Sequence, residues 1–295
     1  MITIKNPMNS GMSPIFEIPN KYVVLDWSNV IRRAYHTTGE HKALELLIFM
    51  LAKIKRGHPD SHVVVALEGT GRLVRAQQFP PYKANRKPDK VFDEVAVKCL
   101  KLLDFVECTQ IKAPKGEADD AIACFVKKMC KGEQALIISE DRDLWQLVKD
   151  NSVTVEVRKF GIIDERKCKE LMGVPPENVA CLKSFLGDSD NIPRGVPRIK
   201  KEVLVRLACA GASPRAAYRK AKSSKLLTDK ELQRIVKCKE QVELNYSLIK
   251  LREDLRLLKR VKCGNPSGIM EFLASQNLYR VDVETVRQLA GKEKS

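Results

Sequence analysis

The stretch YVVLD, residues 22–26, is a short apolar run that ends on an acid. A continuous run of this length is typical of a buried strand, which places Asp26 at the strand's carboxyl end. Two similar runs follow: HVVVAL at 62–67 leads into Glu68, and QALIIS at 134–139 leads into Asp141. The sequence therefore predicts three buried strands, each followed by a carboxylate.

Helical patterns separate these strands. The helix between the first two strands has an apolar face formed by Leu44, Leu47, Ile48, Leu51 and Ile54, and another helix is expected at about 89–107. Strands that alternate with helices predict an α/β fold with a mostly parallel central sheet flanked by helices, whose site lies at the carboxyl ends of the strands. We therefore expect the three strand-end acids to converge.

The composition points to a polyanionic partner. The 295 residues include 53 Lys and Arg against 37 Asp and Glu, a formal net charge of +16. This balance favours nucleic acid or an anionic membrane surface as partner. No apolar run reaches the roughly 18 residues of a membrane span, so no such span is expected. Nine Cys without a CxxC pattern indicate free thiols in a reducing compartment, and the four His lack zinc-ligand spacing.

Further acids stand at predicted helix starts or in a loop rich in Gly and Pro: Glu117, Asp119, Asp120, Asp143, Asp188 and Asp190. Helix capping is a simpler explanation for Glu117 and for Asp141 taken singly. Three acids within residues 117–120 exceed what capping requires, however, and gathered carboxylates repel unless divalent cations bind them. The full set predicts a two-metal site for phosphodiester hydrolysis.

The segment RAQQFPPYKANRK, residues 75–87, carries an aromatic ring beside cations. Tyr82 would stack on a base while Lys83 and Arg86 neutralise phosphates, and a solvated basic loop is the alternative. Arg32 and Arg33 lie near Asp26 on a predicted helix, where they would either grip a phosphate or face solvent.

The order of these segments resembles a known family. Asp26 is followed by RAQQFPPYKANR (75–86), GEADD (116–120), ISEDRDLWQLV (138–148) and GDSDNIPRGVPRI (187–199). This order resembles the structure-specific 5′ nucleases, which include bacteriophage 5′–3′ exonucleases, flap endonucleases and the 5′ nuclease domain of bacterial DNA polymerase I. The resemblance extends over about residues 22–210.

After about residue 164 the pattern becomes helical and strand-like runs disappear. Together with the resemblance, this change implies a domain organisation. A flexible extension at 1–20 would precede a PIN-like α/β nuclease core at 21–164, with a helical arch at about 80–107 that exposes Lys90, Lys98 and Lys101. A helical DNA-binding region would occupy 165–295 and contain a helix–hairpin–helix-like loop at 187–201.

The resemblance also implies a role for each acid, in sites that bind two Mg²⁺ or Mn²⁺ ions. One metal site would contain Asp26, Glu68, Glu117, Asp119, Asp120 and Asp141. The other would contain Asp143, Asp188 and Asp190. The sequence departs from the family pattern in two places: Glu68 stands where Asp is usual, and the later pair has the spacing D-x-D instead of D-x-x-D.

On the same basis, Lys83 and Arg86 would be catalytic. The DNA-binding residues would be Arg33, Arg75, Tyr82, Gly195, Arg198, Lys200 and Lys201. Arg198 and Lys200 replace two glycines of the family hairpin, and a monovalent cation at the hairpin is a further implication. A basic turn between helices is the simpler explanation of this loop. Cations on later helices would either extend this DNA-binding surface or simply face solvent: Arg215, Arg219, Lys220, Lys222 and Lys225.

Together these features predict a metal-dependent 5′–3′ exonuclease or flap endonuclease of DNA replication or repair. It would act as a monomer on 5′ flaps, 5′ ends and junctions, with RNA–DNA hybrids as a further substrate, in the cytoplasm of a bacterium or a phage-infected cell. Two alternatives stay open: a related ribonuclease, and a non-catalytic DNA-binding protein with a degenerate metal site.

Overall fold

The computed structural model describes residues 21–130, 133–150, 152–224 and 226–291. The expected N-terminal extension at 1–20 lies outside these ranges, and so do Lys225 and the last four residues. Within them, no helix has the length and apolar character needed to cross a membrane.

The described residues form a sheet of seven strands in the order β6-β5-β4-β1-β2-β3-β7. The strands are β1 (Tyr22–Asp26), β2 (His62–Leu67), β3 (Cys108–Lys112), β4 (Ala135–Ile138), β5 (Val153–Val157), β6 (Gly161–Ile163) and β7 (Leu258–Lys262). The pairs β1–β2, β1–β4, β2–β3 and β4–β5 are parallel, whereas β5–β6 and β3–β7 are antiparallel. The prediction of a mostly parallel central sheet is confirmed, and antiparallel strands are added at both edges.

Helices flank this sheet. They are α1 (Trp27–Thr38), α2 (Glu40–Gly57), α3 (Gly71–Gln78), α4 (Lys90–Leu102), α5 (Ala118–Met129), α6 (Glu165–Met172), α7 (Val179–Leu186), α8 (Lys201–Cys209), α9 (Pro214–Ser223), α10 (Asp229–Lys237), α11 (Lys239–Ile249), α12 (Pro266–Ser275) and α13 (Val283–Ala290). Two 3₁₀ helices add Arg142–Leu147 and Pro176–Asn178.

Each face of the sheet supports its own hydrophobic core. In β1, Val23 and Leu25 point into one core and Val24 into the other, because side chains alternate along a strand. The first core is completed by α1, α2, α4, α12 and α13, and the second by α5, α7 and α8. A sheet covered on both faces explains why its strands appear in the sequence as continuous apolar runs.

The prediction that the helix in this region forms part of an arch is wrong, because α4 belongs to the hydrophobic core. Phe92, Val95, Cys99 and Leu102 of this helix are buried in the first core, where α4 packs against α1 and α2. Lys90, Lys98 and Lys101 are exposed as expected, but on a helix that belongs to the core. Between α3 and α4, residues 79–89 form turns and a loop.

The region 165–295, expected to be helical, also contributes to the sheet through β7. This strand pairs with β3 in register from Cys108–Lys262 to Lys112–Leu258. Its sequence, LKRVK, lacks the apolar run that predicted β1, β2 and β4, because it lies at an exposed edge.

Candidate active site

Two strand-end acids meet around one serine at the carboxyl edge of the sheet. Asp26 ends β1 and caps α1, since its Oδ1 accepts a hydrogen bond from the Asn29 amide at 3.2 Å. The Ser139 hydroxyl donates to Asp26 Oδ2 at 2.8 Å and accepts from the Asp141 amide at 3.1 Å. Ser139, which the sequence analysis missed, therefore fixes the two acids relative to each other.

The expected third strand-end acid, Glu68, lies at the edge of this group. Its Oε2 accepts a hydrogen bond from the Ala118 amide at the start of α5 at 3.1 Å. Asp26 lies opposite Ala66 in the parallel pair β1–β2, two residues before Glu68, and the charge of Glu68 contributes to the raised pKa of Asp26. Glu68 is exposed, however, whereas Asp26 is buried.

The acids of this edge influence one another's ionisation. Burial, followed by the charges of Asp141 and Glu68, raises the pKa of Asp26 to about 7 against the hydrogen bonds from Ser139 and Asn29. Burial and the charges of Asp141, Asp26 and Asp143 raise the pKa of Asp119, an effect that Lys83 opposes. Asp26, Asp119, Asp141 and Asp143 therefore lie within range of one another's charges.

Asp143 belongs to the same group. Burial, together with the charges of Asp141 and Asp188, raises the pKa of Asp143 to about 7, although Lys183 acts in the opposite direction. The Asp143 amide also donates to Asp141 Oδ1 at 2.8 Å, so Asp141 serves as the cap of the 3₁₀ helix. The capping explanation thus holds for Asp141 without removing it from the acidic group.

Asp120 does not join this group, which corrects its predicted role as a metal ligand. Arg75 donates to both Asp120 oxygens at 2.8 and 2.9 Å, and Arg252 donates its amide and Nη2 to them at 3.0 and 2.9 Å. Burial alone would raise the pKa of Asp120, but these arginines outweigh it and the pKa is lowered. With its oxygens occupied by cationic donors, Asp120 is a structural partner of the arginines.

The predicted DNA contacts of Arg75 and Tyr82 are wrong for the same reason. Arg75 is 4% exposed and Tyr82 is 6% exposed, so neither side chain is available to a base or a phosphate. Arg75 Nη1 donates to Glu117 Oε2 at 2.9 Å, and the Tyr82 hydroxyl donates to the same oxygen at 3.0 Å. Both residues hold Glu117 in place.

Lys83 also binds Glu117, because its Nζ lies 3.1 Å from each Glu117 carboxylate oxygen. Lys83 Nζ is further 3.8 Å from Asp190 Oδ2, and Arg86 Nη2 donates to Asp190 Oδ1 at 2.7 Å. The two cations predicted to be catalytic are thus placed between Glu117 and the loop after α7.

The sequence analysis also missed Lys183, which lies on α7 within an apolar helix. Its Nζ pairs with Asp143 and, at 2.6 Å, with Asp188 Oδ2. Burial opposes the charge of Lys183, but the carboxylates of Asp143 and Asp188 outweigh it and raise its pKa. In the sequence, the only sign of this role is that Lys183 stands four residues before Gly187, where the Gly- and Pro-rich loop begins.

The two arginines near Asp26 occupy different surroundings. Arg32 stacks its guanidinium over the Phe92 ring at 4.2 Å. Arg33 Nη1 lies 3.8 Å from Glu140 Oε1 and is partly exposed. Arg32 therefore covers α4, while Arg33 stays close to the acidic edge.

The loop between α7 and α8 presents cations but not the predicted glycine. A Cβ on Gly195 would lie 2.2 Å from the Ser184 carbonyl oxygen, so this glycine packs against α7 and is buried, which corrects its predicted DNA contact. Arg198, Lys200 and Lys201 are exposed.

A cavity of about 500 Å³ opens beside the acidic group. Its wall includes Arg86, Asp141, Asp143, Lys183, Asp188 and Lys201. Among the described His, Cys, Asp and Glu side chains, no group of three is arranged to hold a metal ion directly.

An acidic cavity at the carboxyl edge of a parallel sheet, ringed by cations in a strongly basic chain, is the arrangement of a nuclease. Residues 21–173, more than half of the chain, match the family model described as 5′-3′ exonuclease, N-terminal resolvase-like domain. The chain belongs to this family, which confirms the predicted enzyme class.

Relatives and a solved structure agree with this assignment. The chain is 30% identical to a 5′-3′ exonuclease of Buchnera aphidicola subsp. Schizaphis graminum, over 60% of this chain and 66% of that protein. It is 26% identical to flap endonuclease Xni of Shewanella oneidensis, over 81% of this chain and 92% of the relative. The flap endonuclease D15 of bacteriophage T5, solved with DNA and metal ions, shares the fold with a TM-score of 0.66 at 18% identity, covering 90% of this chain and 98% of that one.

Proposed function

We propose that this chain is a divalent-metal-dependent 5′–3′ exonuclease and flap endonuclease that hydrolyses DNA near 5′ ends and at junctions of single strand and duplex. The observation that carries the proposal is the group of Asp26, Asp119, Asp141 and Asp143 at the carboxyl edge of the sheet, where Ser139 joins Asp26 to Asp141 and where desolvation and neighbouring carboxylates raise the pKa of Asp26, Asp119 and Asp143. Such a group is stabilised when divalent cations bind it.

These residues fit two ions of the Mg²⁺ or Mn²⁺ type. Asp26, Asp119 and Asp141 would hold one, with Asp143 and Asp188 holding the other. Mg²⁺ keeps several waters and needs few direct carboxylates, so some of these acids would reach the ions through water. Ions at such a site supply an acidic water and stabilise the leaving oxygen.

The side chains around the acids would place the substrate. Lys83 and Arg86 lie between Glu117 and Asp190, where their charges would hold the scissile phosphate. The exposed cations Arg198, Lys200 and Lys201 would grip the backbone of the duplex, a contact that carries no sequence preference. A monovalent cation at this loop stays a prediction.

We place the activity in DNA replication or repair in the cytoplasm of a bacterial or phage-infected cell. The two bacterial relatives support this setting. Nine cysteines without a CxxC pattern are typical of a protein in a reducing compartment.

Cleavage of a 5′-flap duplex in Mg²⁺ tests the proposal. Wild type should cut near the junction, and Asp141→Asn should slow cleavage at least about 100-fold, because an acid that organises metal is lost. Asp60→Asn, an exposed acid in a turn outside the site, is the matched control and should cut like wild type.

Intact substrate with wild type would refute the proposal and favour a non-catalytic DNA-binding protein. The same assay with a matched RNA flap separates the ribonuclease alternative, since the proposal requires faster cleavage of the DNA flap.

A further inference from the structure

We infer that Asp190 is a positioning residue that holds Lys83 and Arg86 at the cavity, and that it is not one of the metal-binding carboxylates. The inference rests on the proposed function and divides the acidic pair of the loop after α7. Asp188 keeps the role expected from the sequence, whereas Asp190 acts on the two cations.

The two acids of the pair point into different surroundings. Asp188 Oδ2 lies 2.6 Å from Lys183 Nζ, and Lys183 also pairs with Asp143. Asp190 Oδ1 instead accepts hydrogen bonds from Arg86 Nη2 at 2.7 Å and Arg86 Nε at 3.1 Å. Both acids line the cavity, but Asp188 shares Lys183 with Asp143, whereas Asp190 lies between the side chains of Lys83 and Arg86.

The backbone reinforces this division through a reciprocal contact between residues 81–86 and residues 189–191, here called the clasp. The Lys83 amide donates to the Asp190 carbonyl oxygen at 3.0 Å. The Asn85 amide side chain donates to the Ser189 carbonyl oxygen at 3.0 Å, and the Asn191 side chain donates to the Pro81 carbonyl oxygen at 3.0 Å. Backbone and side chains on each side thus bind the other.

Two backbone conformations show why the clasp has this shape. Lys83 has φ of 53° and Asn191 has φ of 60°, both in the left-handed region. Asn adopts this conformation readily, but Lys does so only when its surroundings hold it. At Lys83 the surroundings are the clasp and the paired carboxylates of Glu117 and Asp190.

The shortened spacing accounts for the new role. In D-x-D, only Ser189 separates the acids, and the Asp188 amide bonds to the Ile192 carbonyl oxygen at 2.9 Å across a tight turn. The turn directs Asp188 toward α7 and Asp190 toward residues 81–86. Between two neighbouring cations, the Asp190 carboxylate offsets their repulsion and keeps both at the cavity.

Asp190→Asn and Asp190→Ala test the clasp, with Asp188→Asn as the control in the same loop. In metal-free protein, trypsin should cut after Lys83 and Arg86 about tenfold faster in both Asp190 variants, since a charge-assisted pair is lost. Asp188→Asn should leave these two cuts at the wild-type rate. Equal protection of wild type and both Asp190 variants would overturn the clasp.

Mn²⁺ binding followed by electron paramagnetic resonance tests the metal role. Asp190→Asn should keep the wild-type number of ions and their affinity, whereas Asp188→Asn should weaken one ion about tenfold or more. Loss of an ion in Asp190→Asn would show that Asp190 is a ligand and would overturn the inference while leaving the nuclease proposal intact.

Single-turnover cleavage then tests coupling to the cations. Asp190→Asn should slow the reaction about tenfold, and adding it to a variant that carries both Lys83→Met and Arg86→Met should cause no further loss, because residues that act as a unit are not additive. Additive losses would contradict positioning. Wild type without cleavage would refute the proposed function, and the trypsin result would still decide the clasp.

Discussion

Asp119 and Asp120 are neighbours in the sequence, yet their carboxylates have opposite surroundings. Successive residues of a helix point about 100° apart, so adjacent acids at the start of α5 reach different groups. Asp120 is paired with Arg75 and Arg252, while Asp119 accepts no hydrogen bond within the described part of the chain and lies in the field of Asp26 and Asp141. Asp120 therefore stabilises the metal-free fold, and Asp119 destabilises it.

Asp119→Asn should therefore stabilise the metal-free protein at pH 8. The folded-state pKa of Asp119 is raised, so its contribution to stability is complete below the unfolded value of 3.8 and is lost as pH rises through the folded pKa. Removing the charge should add on the order of 1 kcal/mol at pH 8 and almost nothing near pH 4. Urea unfolding in EDTA at both values measures this difference, and a loss of stability at pH 8 would contradict it.

Asp120→Asn should have the opposite effect under the same conditions. The substitution removes one of the two carboxylates that pair with Arg75, a nearly fully buried cation, and leaves Glu117 as its remaining partner. Breaking a buried pair from one side costs about 3 kcal/mol. Unfolding in EDTA at pH 8 should show this loss, whereas a stability at or above that of wild type would place Asp120 among the repelling acids.

At the scale of elements, the sequence predicted the features that depend on local pattern. The strand β1, which ends in Asp26, and the strand β4, which ends three residues before Asp141, were recognisable because both faces of the sheet are covered, which produces apolar runs. The edge strand β7 has no such run. The roles of Ser139 and Lys183 could not be predicted, because they depend on which elements fold next to one another.

In the loop between α7 and α8, Gly195 packs against α7, whereas the sequence predicted that it contacts DNA. Gly195→Ala should destabilise the protein by about 2 kcal/mol or more, since the added methyl would meet the Ser184 carbonyl oxygen of α7. Gly57→Ala is the control, because its Cβ would meet nothing within 4 Å. Thermal unfolding measures the stability of both variants. If Gly195→Ala left the stability unchanged but weakened DNA binding, the predicted DNA contact of Gly195 would be supported.

At the scale of the whole molecule, the end of the described chain completes the core begun at its start. After α11 the chain returns to the sheet as β7, and α12 and α13 then pack into the same core as α1 and α2. The division at residue 164, expected from the change to a helical pattern, therefore separates parts that share one hydrophobic core.

A fragment of residues 21–164 should consequently fail to fold cooperatively. Removing the later residues takes away the buried side chains Ile269, Phe272, Leu273, Val286 and Leu289 from the first core. At about 2 kcal/mol for each large side chain, this loss is comparable to the 5–15 kcal/mol that stabilises a typical domain. Circular dichroism during heating should show no sharp transition for the fragment and a single one for residues 21–291. A cooperative transition in the fragment would establish it as an independent domain, as the sequence pattern suggested.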